Sequence, residues 1–445
     1  MIARIFTLLV ALLVLAPPAW AQRGLDRIEH ILVVYLENRS FNNLYGTFPG
    51  ANGLAQAAGA PAQVDLTGKP YSVLPPVVYV GPGGPKLDQR FPLGLPNKPF
   101  DIDKYVPLAD KTGDLVHRFY QHQLQINGGR NDRFAAVSDA GALAMGYYDG
   151  SRTELWQWAQ RFTLADNFFQ GAFGGSFLNH LWLACACTPR WPDAPTNLRA
   201  DVRNGWILKD APFTPDGYAV NTAYSRIAPR PASANDPARL LPPLDNPTIG
   251  DRLSARRISW AWYSGGWTDA AAGKPHALFQ FHHQPFAYFR PYGEGTPGRA
   301  AHLKDEADMM AAIESGALPA VSFYKPLGPE NEHPGYADIL SGDRKIAVLL
   351  RKLEASPLWP RLAVIVTYDE NGGFWDHVPP PKGDRWGPGS RIPALVVSPF
   401  AKKGFVDHTV YDTTSILKLI EVRFGLQPLG PRDAKANDLT NAFQF

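Results

Sequence analysis

Ile31–Leu36, Arg257–Tyr263, Pro319–Lys325, Arg361–Glu370 and Ile392–Phe400 are short runs dense in β-branched and aromatic residues. Between them, Asp305–Gly316 and Arg344–Ala355 carry helical periodicity, and Thr413–Gly425 follows as a third helical stretch ended by glycine. Strand–helix–strand alternation of this kind needs crossover connections. It predicts an α/β fold with a mostly parallel central sheet flanked by helices. A strand covered by helices on both faces has no wet side, which explains why Ile31–Leu36 is apolar without alternation. Gly and Pro number 40 and 42, so long loop-rich insertions are expected between the regular elements.

Asp114 is placed to cap a helix running from Leu115 to Ile126 and stopped by Gly128-Gly129, with His117 on it. Arg152–Gln160 reads as a helix with Trp156 on its inner side. Gly174–Cys187 reads as a glycine turn followed by an apolar helix. The Gly/Pro/Ala-rich stretch at about 49–100 has little periodicity. The Pro-, Arg- and Asp-rich stretch at about 188–255 reads as an excursion from the core, and no internal repeat is visible.

Hydrophobic residues make up 45% of the chain and charged residues 19%, enough for a full core. The formal net charge of +3 excludes the footprint of a nucleic-acid binder. The first residues have the form of a leader: Arg4, an apolar run from Ile5 to Leu15, and Ala19-Trp20-Ala21 as a cleavage site. The expected organisation is a signal peptide over 1–21 and one catalytic domain over 22–445 with the insertion at about 188–255. The mature chain starts at Gln22, carries no integral membrane anchor after cleavage, and is periplasmic or secreted. Such a compartment permits disulfides. Cys185 and Cys187 are the only cysteines; on a continuing helix they point to nearly opposite sides, so free buried thiols are favoured unless the helix ends there.

Two of the apolar strands end in the same way. Ile31–Leu36 runs into Glu37-Asn38-Arg39-Ser40, and Ala363–Val366 leads to Asp369-Glu370-Asn371-Gly372-Gly373. Ligands of open α/β sheets bind beyond the carboxyl ends of strands. Glu37, Asn38, Asp369 and Glu370 are hard oxygen donors, and three clustered carboxylates are disfavoured without a cation. The competing reading pairs these acids with arginines such as Arg39. Ser176, after Gly174-Gly175, is either a nucleophile beside a helix N-terminus or an ordinary cap. It is not a G-x-S-x-G elbow, because the second glycine is missing. His117, His282, His283 and His333 lie in polar or aromatic segments and suit contacts to phosphate oxygens or a departing alkoxide.

Taken together, "IEHILVVYLENRSFNNLYGTFPG", "FGGSFLNHLWLA", "FQFHHQPFAYF", "ENEHPGYAD", "TYDENGGFWDHVPPP" and "SRIPALVVSPFAKKGFVDHTVYDTTSILKLIE" resemble the bacterial phosphoesterase family of acid phosphatases and non-haemolytic phospholipases C. The segments occur in family order from about residue 27 to 424. The resemblance implies an alkaline-phosphatase-like core and a divalent metal ion at Glu37, Asn38, Asp369 and Glu370. It further implies Ser176 as a hydroxyl nucleophile that also touches the metal, and His117, His282, His283 and His333 around the phosphate, with His122 as an alternative to His117. Phospholipase members commonly carry Thr, then x-Pro-Asn-Arg, where this chain has Ser176-Phe177-Leu178-Asn179-His180. That departure favours an exported acid phosphatase acting on a small phosphate monoester, through a phosphoserine intermediate. Phospholipase C acting on a phospholipid is the first alternative; the aromatic stretch at 260–292 either supplies an apolar rim for it or is simply core. A noncatalytic exported phosphate-ester-binding protein is the second. The missing Pro and Arg also argue against a sulfatase.

Overall fold

The apolar runs pair as eight strands of one sheet in a computed structural model that describes residues 24–81 and 83–445. The leader read at 1–21 lies outside the described residues. In chain order the strands are β1 (His30–Leu36), β2 (Thr163–Ala165), β3 (Trp260–Ser264), β4 (Leu303–Asp305), β5 (Val321–Lys325), β6 (Leu362–Tyr368), β7 (Ala394–Val397) and β8 (Phe405–Asp407). Their spatial order is β4-β3-β5-β1-β6-β7-β2-β8. All neighbours are parallel except β7, which runs against both β6 and β2. The expected mostly parallel α/β architecture is therefore present.

β1 lies between β5 and β6, with Ile31 opposite Val321 on one side and Ala363 on the other. Every residue of Ile31–Leu36 and Leu362–Tyr368 is buried, as their unbroken apolar character requires. The three strands are parallel, so their C-terminal ends open at one edge of the sheet. Lys325, Glu37-Asn38 and Asp369-Glu370 emerge there side by side.

The helices include α1 (Phe119–Ile126), α2 (Ser176–Cys185), α3 (Ile339–Glu354) and α4 (Thr413–Phe424). α4 packs on α2 and ends at Gly425, whose φ of 63° only glycine adopts readily. No helix among the described residues is long and apolar enough to cross a membrane.

Three expectations are corrected. The helix expected from Leu115 begins at Phe119, because the amides that would start it are engaged elsewhere. Leu115 N donates to Asp114 Oδ1, Val116 N to Asp139 Oδ1 and Phe119 N to Asn221 Oδ1. His117 thus sits on an extended segment. Second, Cys185 and Cys187 form a disulfide. The helix ends at Cys185, and Ala186 turns left-handed at φ 47°, which removes the opposed orientation that free thiols presumed. Third, the aromatic stretch is not an apolar rim: Trp260, Trp262, Phe286, Tyr288 and Phe289 are all buried, and Phe281 nearly so.

A buried ion pair ties the reversed strand to the loops at the sheet edge. Arg391, just before β7, is fully buried. Its Nε lies 3.1 Å from Asp376 Oδ1, its Nη1 donates to the carbonyls of Asn52 and Asp166, and its Nη2 donates to Asn42 Oδ1. Asp376 in turn accepts from the amides of Asn42 and Val378. Asp376→Ala leaves the guanidinium buried and uncompensated. Such losses cost about 3–5 kcal/mol, so urea unfolding of this variant should show a loss of stability of that size; a loss below about 1 kcal/mol would mean that the pair behaves like a surface contact.

Candidate active site

Glu37 follows β1 directly, and Asn38 adopts a left-handed conformation at φ 62°, which asparagine tolerates. Asp369 and Glu370 follow β6. Adjacent strand residues face opposite ways, so both reach one site only if the chain turns at once. Gly372 and Gly373 make that turn with φ of 63° and 74°. A Cβ on Gly372 would lie 2.3 Å from the Asn38 carbonyl oxygen, and one on Gly373 2.6 Å from that of Val116. The two loops therefore touch backbone to backbone, and no side chain fits between them.

Each carboxylate is anchored by one oxygen. Asp369 Oδ1 accepts from Asn38 N at 3.1 Å and from Glu370 N at 2.8 Å. Glu370 Oε2 accepts from Gly372 N at 2.6 Å. Glu37 Oε2 accepts from Ser176 Oγ at 3.0 Å. The opposite oxygens, Asp369 Oδ2, Glu370 Oε1 and Glu37 Oε1, are buried without a hydrogen-bond partner. Glu37 Oε1 nevertheless has ionic neighbours, Lys325 Nζ at 2.7 Å and His283 Nε2 at 2.5 Å. Arg39 is not the partner of these acids. It turns away to donate to the Glu332 carbonyl and to Asn43 Oδ1.

Ser176 is the first residue of α2 and Gly175 is its cap, so the ordinary capping role is absent. Its hydroxyl donates to Glu37 and lies 3.4 Å from Asn38 Oδ1. A cleft of about 240 Å³ opens above it, lined by Glu37, Ser176, His117, His282, His283 and His333, with Asp114, Arg118 and Tyr336 toward the outside. His117 Nδ1 is 2.5 Å from the Leu115 carbonyl and its Nε2 3.5 Å from Asn38 Nδ2, while His333 Nδ1 is 2.6 Å from the Pro334 carbonyl. His122 is elsewhere: Nε2 meets Ser390 Oγ and Nδ1 accepts from Gly174 N, so it braces the turn before Ser176.

Two buried residues at the site were not singled out from the sequence. Lys325 ends β5 with its ammonium between Glu37 and Asp369. His180, one turn after Ser176, has Nδ1 2.7 Å from the Ser176 carbonyl and its ring stacked on His283 at 5.1 Å. A lysine closing a buried strand, and a histidine four residues after the serine on an otherwise apolar helix, were the available signals.

The electrostatics reflect an uncompensated acidic centre. Burial opposes ionisation of Glu37, but the charges of Lys325 and His283 outweigh it and hold the carboxyl well below the usual range. Burial, then the Glu37 charge, pushes Asp369 up to about 7. Burial raises Glu370 well above its ordinary value, with His117 opposing. For His117 burial acts downward, yet Glu370 and Asp114 raise it to about 9. Burial lowers His283 to about 4, and lowers His180, His282 and His333 as well. The orphaned Asp369 and Glu370 oxygens, with Asn38 Oδ1 and Ser176 Oγ 3.4 Å apart, are hard donors of the kind a divalent cation takes; the three-residue groups whose ligand atoms lie within 4.8 Å of one another among the described residues are Glu37/His180/His283 and Asp114/His117/His333.

Residues 28–427 match the model of the Phosphoesterase family, and the chain belongs to that family. By class it is a phosphoric ester hydrolase. Phospholipase C A of Mycobacterium tuberculosis is 27% identical over 464 residues, covering 95% of this chain and 78% of that protein. Non-hemolytic phospholipase C of Pseudomonas aeruginosa is 26% identical and covers 97% of this chain but 59% of its own length. Both are phospholipases C by name, so they lend no support to the expected preference for acid phosphatase. Among solved structures, a protein in the alkaline phosphatase superfamily from Vibrio parahaemolyticus overlaps 74% of this chain with a TM-score of 0.34 and 11% identity.

Metal affinity should follow the protonation of Asp369. A carboxyl raised to about 7 carries a proton below that pH, and the proton must leave before a cation binds. Affinity for Mn²⁺, measured by calorimetry, should therefore rise between pH 5 and pH 7. Equal affinity at pH 5 and pH 8 would remove Asp369 from the donor set.

Proposed function

We propose that this chain hydrolyses phosphoric esters through Ser176, with a divalent cation held by Glu37, Asn38, Asp369, Glu370 and Ser176. The carrying observation is the orientation of the carboxylates: each is fixed by one oxygen, and the free oxygens are buried at one strand-end edge beside the serine. When bound, the cation supplies Lewis-acid charge neutralisation at the phosphoryl group and lowers the pKa of the serine hydroxyl. Glu37 Oε2, already accepting from Ser176 Oγ at 3.0 Å, is placed to take the proton as Oγ attacks phosphorus. The new Oγ–P bond replaces the bond to the departing alkoxide, giving a phosphoserine that water then hydrolyses. His117, raised to about 9, is protonated at neutral pH and can donate from Nε2 to the alkoxide or to a phosphate oxygen. His282, His283 and His333 wall the cleft around the phosphate.

For the substrate, cleavage of a phospholipid headgroup diester is the reading the relatives favour. The hairpin Asp201–Arg203/Trp206–Lys209 adds to it: Trp206 and Leu208 are exposed, and the next residue, Asp210, pairs with Arg118 at the cleft. Acid phosphatase activity is the second reading, supported by a small cleft walled by histidines and by the burial of the aromatic stretch. Export through the leader at 1–21 suits either.

Ser176→Ala should lose at least about a thousandfold in turnover while still binding orthovanadate, since the cation, histidines and helix N-terminus remain. Turnover of p-nitrophenyl phosphate and phosphatidylcholine by the wild-type protein, run in parallel across pH, separates the two substrates. A Ser176→Ala variant within about tenfold of wild type would reject the serine as nucleophile.

A further inference from the structure

Lys325 is a charged side chain with no exposed surface, and lysine is almost never fully buried unless paired. Its ammonium lies 2.7 Å from Glu37 Oε1 and 3.7 Å from Asp369 Oδ2. It also donates to the Leu36 carbonyl at 3.1 Å and sits over the Tyr35 ring, so it is pinned to the end of β1. Around it, Glu37 Oε1 and His283 Nε2 face each other at 2.5 Å, and His180 Nε2 is buried without a hydrogen-bond partner. Glu37, His180 and His283 place ligand atoms within 4.8 Å of one another. Two imidazoles and a carboxylate are a donor set suited to zinc. In this protein an ammonium already stands against the carboxylate of that set.

The two oxygens of Glu37 therefore face different ways. Oε1 stands against Lys325, and Oε2, accepting from Ser176 Oγ, is the oxygen it offers to the proposed metal. Asp369 Oδ2 and Glu370 Oε1 remain orphaned, with Asn38 Oδ1 beside the serine hydroxyl. A divalent ion held by Glu37, His180 and His283 would lie against a fully buried ammonium that already stands 2.7 Å from Glu37 Oε1.

We infer that Lys325 is a built-in cation that blocks a latent metal site made by Glu37, His180 and His283. This rests on the proposed metal at Asp369 and Glu370. Lys325 does not line the cleft, so it acts as a positioning residue: it holds Glu37 with Oε2 toward Ser176.

The test counts metal. Purified protein is loaded with Zn²⁺, freed of loose ion by gel filtration, and analysed for zinc per chain by elemental mass spectrometry. Wild type should retain one equivalent. Lys325→Met, which keeps the length and loses the charge, should retain two, and adding His180→Ala to it should return the count to one. Two equivalents in wild type that fall to one with His180→Ala would overturn the inference, as would a count left unchanged by Lys325→Met. No retained zinc in wild type would instead overturn the metal reading beneath it. If Lys325→Met does not fold, the wild-type count with and without His180→Ala decides.

Discussion

Three carboxylates meet where two adjacent parallel strands end, and their mutual repulsion is the force that the surrounding structure manages. Glu37, Asp369 and Glu370 are fully buried, where an unpaired charge is expensive. Backbone amides grip one oxygen of Asp369 and of Glu370, and a lysine and a histidine approach Glu37. These contacts hold the acids together without neutralising them, which is why Asp369 and Glu370 shift upward. A cation at the proposed metal site would relieve that repulsion, which would couple the stability of the fold to its chemistry at one point.

The loops that carry these groups are stitched to one another rather than left to pack. Glu37 N donates to the Asn331 carbonyl, and the Arg39 guanidinium donates twice to that of Glu332. The Glu332 carboxyl, raised by burial to about 8, accepts from Tyr368, the residue before Asp369. Glu332 itself is held left-handed at φ 72°, a strained conformation kept by these neighbours. The acidic floor and the turn bearing His333 are therefore fixed relative to each other. On the far side, the Arg391–Asp376 pair secures the loop after β6 against the segment after β1.

Much of the fold was legible because buried parallel strands leave an unbroken apolar trace, as Ile31–Leu36 and Leu362–Val366 do. The strand-end acids were legible because charge at the end of such a run is unusual. Three things were less visible. Asp114 carries the signature of a helix cap, but the amides after it are claimed by Asp139 and Asn221, which are distant in sequence. The Cys185–Cys187 bond depended on where a helix stops, a boundary that local propensity sets poorly. Lys325 and His180 sit within apolar segments whose pattern already had a core explanation, and only the three-dimensional neighbours give them another role.

The insertion at 188–255 does more than decorate the sheet. It contributes Val220, Asn221 and Thr222 to one wall of the cleft, while the floor comes entirely from strand ends and α2. Asn221 fastens that wall by accepting from Phe119 N and donating to the Ala211 carbonyl. Floor and wall thus belong to different parts of the chain, tied at the cleft by the Arg118–Asp210 pair and by Phe119 N on Asn221, so a change of residue in the wall would reshape the cleft without moving the groups at the strand ends.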